Sequence, residues 1–236
     1  MIGFWSVFIR ESQHYFVTPI AYVVISTFWL LSGFFFSFNQ LFVSAIDMVS
    51  AFHNMSLLLM LMIPLLTMRS FAEEKQAGTL ELLMTLPISD GAIILAKYLS
   101  LMMLVFFMLL GSSVAVIVLI YFGEPDLGPI LGGYTGIFLL ASSFSALGLL
   151  ISSLSANQVV AATATWSLLL VLWFIDYASA LFPESDLINF FQHISFSVQY
   201  LDIIRGVLTG GGFIYFFGLV LFCLVSATQV LRMKRF

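Results

Sequence analysis

Charged side chains are what this sequence has least of. Lysine, arginine, aspartate and glutamate make up 8% of its 236 residues, whereas 61% are hydrophobic; an ordinary soluble domain is roughly 25% charged. Such a chain cannot cover its surface with water-solvated groups, so lipid must solvate most of it, and a soluble enzyme is excluded. The net charge of -4 is small and the basic residues fall in short segments, which leaves no electrostatic footprint for nucleic acid. Cysteine occurs once, as Cys223 within an apolar run. No disulfide can form within the chain, and packing is the plain role of that thiol. A cleavable signal peptide is also missing: Arg10 and Glu11 precede a long apolar run instead of a short one followed by small residues. The first span is therefore expected to stay in the mature protein.

The apolar stretches lack other things as well. None carries Asp, Glu, Lys or Arg near its centre, so there is no proton relay or voltage-sensing charge at membrane depth. No Gly-x-x-x-x-Gly-Lys-Ser/Thr loop is present to cradle ATP, and there is no His-Glu-x-x-His helix, Gly-x-Ser-x-Gly elbow or pair of intramembrane carboxylates. An intramembrane enzyme would need such a nucleophile, base or metal set, so no catalytic and no metal-binding residue is expected. Any work this chain does must draw its energy from elsewhere.

What is present is a series of charge-free runs, each about as long as the 20 or so apolar residues that cross a bilayer. They predict an all-α membrane protein with spans at 17–38, 48–68, 98–122, 131–151, 159–175 and 212–231. Pro19 is tolerated in the first helical turn, and Ser89 or Asp90 can cap the helix that enters the third span. The run from Leu127 to Ile175 would measure about 74 Å as one helix, more than twice the hydrocarbon core. It must fold back, and Ser152 to Gln158 is its only polar turn. Rows of small residues, Gly132, Gly136, Ala141, Ser145 and Gly148, then Ala161, Ala162 and Ala164, suit close helix approach.

The positive-inside bias sets the orientation. With both termini in the cytoplasm, Arg10, Arg69, Lys75, Lys97, Arg232, Lys234 and Arg235 are inside and only Arg205 is outside. Asp47, Glu124, Asp126, Asp176, Glu184, Asp186 and Asp202 then face out. Two further segments read as helices along the membrane surface. In residues 1–16, Gly3, Ser6, Arg10 and Gln13 oppose Phe4, Trp5, Phe8 and Tyr15. In residues 185–205, Leu187, Phe190, Phe191, Ile194, Val198, Leu201 and Ile204 oppose Gln192, Ser195, Gln199 and Asp202, as an external interfacial or re-entrant helix. His53 is a lone histidine, with an interface role as its plain reading, and Asp176 marks the end of a span.

The one dense polar segment is 69–89, between the second and third spans. The second helix is expected to continue through Gln76, with Gly78 breaking it. Thr79 caps a short new helix with Glu81 in its first turn, and Pro87 ends that helix. This predicts a bracket projecting from the bilayer with an exposed cluster of Leu80, Leu82, Leu83 and Met84. A solvated loop that only returns the chain to the membrane is the plain alternative, and the residues alone do not choose between them.

The run Phe71-Ala72-Glu73-Glu74-Lys75-Gln76-Ala77-Gly78-Thr79-Leu80-Glu81-Leu82-Leu83, with Leu86-Pro87-Ile88-Ser89 just beyond it, resembles the permeases of the ABC-2 transporter family, and the six-span layout with an amphipathic start agrees. Within that family it is most similar to the small gliding-motility and nitrous-oxide-reductase-maturation permeases. The resemblance implies a permease subunit of an ATP-binding cassette transporter in the bacterial inner membrane, with Glu73, Glu74, Gly78, Thr79, Glu81, Leu82 and Leu83 as the coupling interface to an ATP-binding subunit. That partner would hold ATP and magnesium, so no cofactor is expected in this chain. A second permease copy or homologous permease, an external accessory protein and membrane lipid are the other implied partners. Spans two and five would line the path, making Phe35, Met55 and Met62 candidates for an apolar conduit, with ordinary packing as the plain alternative. A non-transporting scaffold or channel subunit of a multiprotein complex is the competing function.

Overall fold

Proline placement and capping decide where the helices begin. In the computed structural model, which describes residues 2–43, 48–85, 87–122, 125–177, 192–205 and 210–235, every regular element is a helix. Helix α1 (Ile2–Val17) ends where the Thr18 hydroxyl and amide both donate to the His14 carbonyl. Helix α2 (Pro19–Val43) starts on Pro19, whose missing N–H costs nothing at a first helical position. Helix α3 (Val49–Met68) holds Pro64 inside it. Beyond it come a short helix α4 (Glu74–Gln76) and a six-residue helix α5 (Leu80–Thr85), then α6 (Asp90–Phe122) and α7 (Leu127–Leu154). Asp126 caps α7 by accepting from the Gly128 N–H at 3.0 Å, and Asn157 caps α8 (Gln158–Phe174) by accepting from the Val159 N–H at 2.8 Å. Helix α9 (Phe196–Ile204) and helix α10 (Gly210–Arg235) complete the described chain.

Among the described residues, six helices are long and apolar enough to cross a membrane. Large apolar side chains such as Ile117, Tyr121, Ile214, Phe222 and Met233 are exposed on them, which a water-soluble monomer would not tolerate over so much surface.

The bundle is organised around α7, which packs against α3, α6, α8, α9 and α10. Its small residues make this possible. A Cβ at Gly133 would fall 2.0 Å from the Phe52 ring, one at Gly136 2.8 Å from Ile203, and one at Gly148 2.3 Å from the Thr67 hydroxyl. Glycine alone lets α3 and α9 lie this close, and the gain is van der Waals contact that lipid cannot supply.

Helix α6, which carries the third span, starts at Asp90, at the expected cap of Ser89 or Asp90, with the Ala92 and Ile93 amides bonded to the Ser89 carbonyl. At about 50 Å it is longer than a bilayer core is thick. Lys97 does not interrupt it, because that lysine is paired inside the protein. In α1 the buried stripe is Val7, Glu11 and Tyr15, whereas Trp5 and Ile9 are exposed and Phe4 and Phe8 are only half-buried. One expectation needs correction: the external stripe is not continuous. Ser195 adopts an extended conformation (φ -66°, ψ 127°) and starts α9 afresh, turning Phe196, Tyr200, Ile203 and Ile204 into the core. The Tyr200 hydroxyl donates to the Phe52 carbonyl at 2.9 Å and the Tyr215 hydroxyl to the Ile194 carbonyl at 2.6 Å. Leu187, Phe190 and Phe191, like Asp47, Glu124, Glu184 and Asp186, lie outside the described residues.

Candidate functional site

The bracket is an extension of α3. After Met68 the chain runs through one π-helical turn, Arg69–Glu73, into α4. A π turn widens the backbone ladder and frees amides from their usual carbonyls. Here Ser152 on α7 takes them up: its hydroxyl oxygen accepts from the Phe71 and Ala72 amides, both at 3.1 Å, and its proton points to the Met68 carbonyl at 3.4 Å. A hydroxyl offers two lone pairs and one donor, so Ser152 is fully engaged.

Gly78 ends α4. Its φ of 69° is the left-handed conformation, and the Thr79 amide donates to the Glu74 carbonyl at 2.9 Å while the Gly78 amide donates to the Lys75 carbonyl at 3.2 Å. This is the paired closure of a Schellman motif, in which glycine is the least costly residue. The Thr79 hydroxyl also donates to the Glu74 carbonyl, at 3.3 Å. Thr79 therefore closes α4 with its side chain and also stands where the cap of α5 was expected, its carbonyl accepting from the Leu83 amide at 3.2 Å. The exposed leucine cluster is corrected as well: Leu80 and Leu83 are buried and Met84 is half-buried, because α5 folds its apolar side onto the bundle. The side chain of Leu82 lies outside the described residues. What the bracket exposes is polar and small: Gln76, Ala77, Gly78, Thr79, Glu81 and Thr85.

Three ties fasten the bracket. Lys75 Nζ donates to the Ser153 carbonyl at 2.6 Å and to the Ser155 carbonyl at 2.7 Å, placing a cation on the carbonyl-rich end of α7. Lys97 Nζ, 1% exposed, lies 3.0 Å from Glu11 Oε1 and 3.0 Å from Glu74 Oε1, and donates to the Ser70 carbonyl at 2.8 Å. The Phe71 ring centroid is 5.0 Å away. Arg10 spans the same two carboxylates from outside, at 3.1 and 3.3 Å. Thirdly, α1 is pinned beside the bracket by hydroxyls: Tyr15 to Ser70 at 3.2 Å, Ser12 to Ser100 at 3.2 Å, and Ser100 to the Phe8 carbonyl at 3.3 Å. Burial pushes the Tyr15 hydroxyl well above its ordinary pKa, so it keeps its proton.

Of the expected coupling residues, Gly78, Thr79 and Glu81 sit at the exposed tip. Glu73 and Glu74 line a cavity of about 340 Å³ shared with Arg10, Glu11, Arg69 and Lys97, and Leu83 belongs to the core. Met55 and Met62 are buried in the chain's own core and Phe35 packs half-buried against it. Within this chain all three take part in packing between helices. His53 rests against the Trp173 ring at 5.9 Å, and Asp176 accepts from the Ser195 hydroxyl at 3.1 Å. Sequence reasoning passed over Glu11 and Lys97 as site residues. The usable signal was Glu11 itself, an acid midway between Val7 and Tyr15 at four-residue spacing.

A six-span helical bundle, a bracket continuing the second span and a polar tip now stand together with a direct finding: the family model described as ABC-2 family transporter protein matches residues 10–227. The chain belongs to the ABC-2 transporter family. No curated protein matches it. As an ABC-2 permease it is a multi-pass membrane component of an ABC transporter, and membership implies an ATP-binding partner subunit. In the geometry of this permease, the segment between α3 and α6 is held at α1, α6 and the end of α7 at once, and its tip at Gln76 to Thr79 is exposed.

Proposed function

We propose that this permease is the membrane subunit of an ATP-driven exporter of the bacterial cytoplasmic membrane, and that its bracket projects into the cytoplasm to receive mechanical work from a separate ATP-binding subunit. That subunit holds ATP and magnesium, and a second permease pairs with this one around the path. The observation that carries the reading is the fastening of the bracket. Through Lys75, Lys97 and Ser152 a push on the tip reaches α6, α7 and α1 together, whereas a plain connecting loop has no need of buried ion pairs. The clustering of Arg10, Arg69, Lys75 and Lys97 at this end supports a cytoplasmic placement.

The test is co-purification with the co-expressed ATPase, with hydrolysis and transport measured on the same preparation. Gly78→Pro demands a φ near -65° where the chain needs 69°, and Glu81→Lys reverses the charge of the exposed tip. Each variant is expected to insert normally and to lose ATP-driven transport by roughly tenfold or more, with hydrolysis no longer linked to flux. Unchanged transport in both removes the coupling role from the bracket, and a solubilised chain that neither binds the ATPase nor alters its hydrolysis refutes the function.

A further inference from the structure

We propose that Ser145 is a positioning residue for the transport stroke, an inference that rests on the coupling reading above. When the bracket is pushed, α3 and α7 bend together at the level of Pro64, and the Ser145 hydroxyl then donates to the Met60 carbonyl. The register of the two helices leads there. Phe52 lies against Gly133, Thr67 against Gly148 and Phe71 against Ser152. Each pair is 81 positions apart, so α3 and α7 run side by side in one direction, and the same offset sets Pro64 opposite Ser145. Proline has no N–H, and its ring crowds the carbonyl four residues back. The break in α3 therefore falls on Met60, which is buried two turns before Thr67 on the same side of the helix.

A proline inside a span is tolerated where neighbouring groups serve the backbone it frees. Around Pro64 that service is incomplete. Trp166 Nε1 on α8 donates to the Leu61 carbonyl at 3.0 Å and the Thr67 hydroxyl to the Pro64 carbonyl at 3.3 Å, but the Met60 carbonyl receives no side-chain donor among the described residues. At the matching level of α7, Ser145 is fully buried and its hydroxyl has no hydrogen-bond partner. Other serines of α7 bond back to their own helix, Ser142 to the Leu139 carbonyl and Ser153 to the Leu150 carbonyl, both at 2.6 Å. An idle buried donor at the level of an acceptor deprived of its own donor is costly in this conformation, and the cost is recovered in one where the two meet. Prolines and back-bonding serines are also where helices bend. The close approaches at Gly133 and Gly148 lock α3 on α7 to either side of that level. Lys75 and Ser152 fix the bracket to α7, so the inner halves of both helices swing with it as one piece.

The test uses the permease–ATPase complex in nanodiscs, with spin labels at Leu154→Cys and Ile214→Cys, two exposed positions at the inner end of α7 and the outer end of α10, in a Cys223→Ala background. ATP binding is expected to shift the distance between the labels by a few ångströms. Ser145→Ala is expected to melt no lower than the parent, because it deletes a hydroxyl that is unbonded in this conformation, and Pro64→Ala to melt higher, because it restores a helical N–H. In both variants affinity for the ATPase should stay unchanged while the ATP-driven distance shift shrinks. Transport should fall roughly tenfold, about the worth of one hydrogen bond made only in the moved state. A Ser145→Ala chain that melts lower has lost a bond already present before ATP binds, and that overturns the proposal. Distance shift and transport unaltered in both variants overturn it too, leaving docking at the bracket in place. Transport lost in Pro64→Ala alone assigns the bend to the proline and removes Ser145 from it. If the parent chain neither binds the ATPase nor moves on ATP binding, the coupling reading fails and the bend falls with it.

Discussion

Lys97→Met is expected to lower the stability of the permease by about 3–5 kcal/mol, the usual consequence of deleting one partner of a buried ion pair. For a chain of this size the unfolding midpoint in detergent should drop by on the order of 10 °C. Methionine fills nearly the same volume, so the loss is electrostatic. Glu11 and Glu74, held 3.0 Å from the ammonium, would face each other with only the exposed Arg10 between them, and the Ser70 carbonyl would lose its donor. The triple variant Lys97→Met, Glu11→Gln, Glu74→Gln is expected to recover most of the midpoint, since replacing a whole buried charge network is often close to neutral. No recovery would mean that Lys97 acts through packing on Phe71 alone. Because the three residues sit on α1, α4 and α6, the single variant should also loosen the bracket and reduce ATP-driven transport more than it reduces insertion.

The second large effect is expected at Gly148. An added Cβ would lie 2.3 Å from Thr67 Oγ1 and 2.7 Å from Thr67 Cβ. The latter atom cannot swing away, so α3 and α7 must separate. Gly148→Ala is expected to cost about 1–3 kcal/mol as overpacking. The strain falls one helical turn from Ser152, whose hydroxyl holds the π turn of the bracket. Gly218→Ala provides the contrast, since nothing lies within 4 Å of its Cβ. Removing an interior helical glycine there should leave stability unchanged or raise it by up to about 1 kcal/mol. Thermal unfolding of the two variants side by side decides the matter: equal shifts would show that α3 and α7 can part freely.

The misread residues share one cause. Charge-free runs were a sound guide to where helices cross, but they leave Lys97 outside the apolar run of the third span, whereas that lysine is buried along α6. The rule assumes that a charge stays in water. Lys97 is instead neutralised by acids from two other elements, and nothing within several residues of it announces them. The leucines of α5 fail in a similar way: Leu80 and Leu83 look like a free apolar face until the bundle they fold onto is in place. Thr79 stands at the cap of α5 as expected, and what the sequence did not show is that its hydroxyl also closes α4, because the left-handed Gly78 turns the chain back toward Glu74.

By itself the sequence determined the six crossings, the fold-back between Ser152 and Gln158, and the break at Gly78. Each depends on a property carried by a short stretch of chain: apolar length, a polar interruption, or access to positive φ. Only the tertiary structure decided the rest. Ser152 meets Phe71 across 81 positions and Arg10 meets Glu74 across 64, and the fit of Gly148 on Thr67 spans as wide a gap. Such contacts arise from how helices are laid side by side, a geometry that no local run of residues encodes.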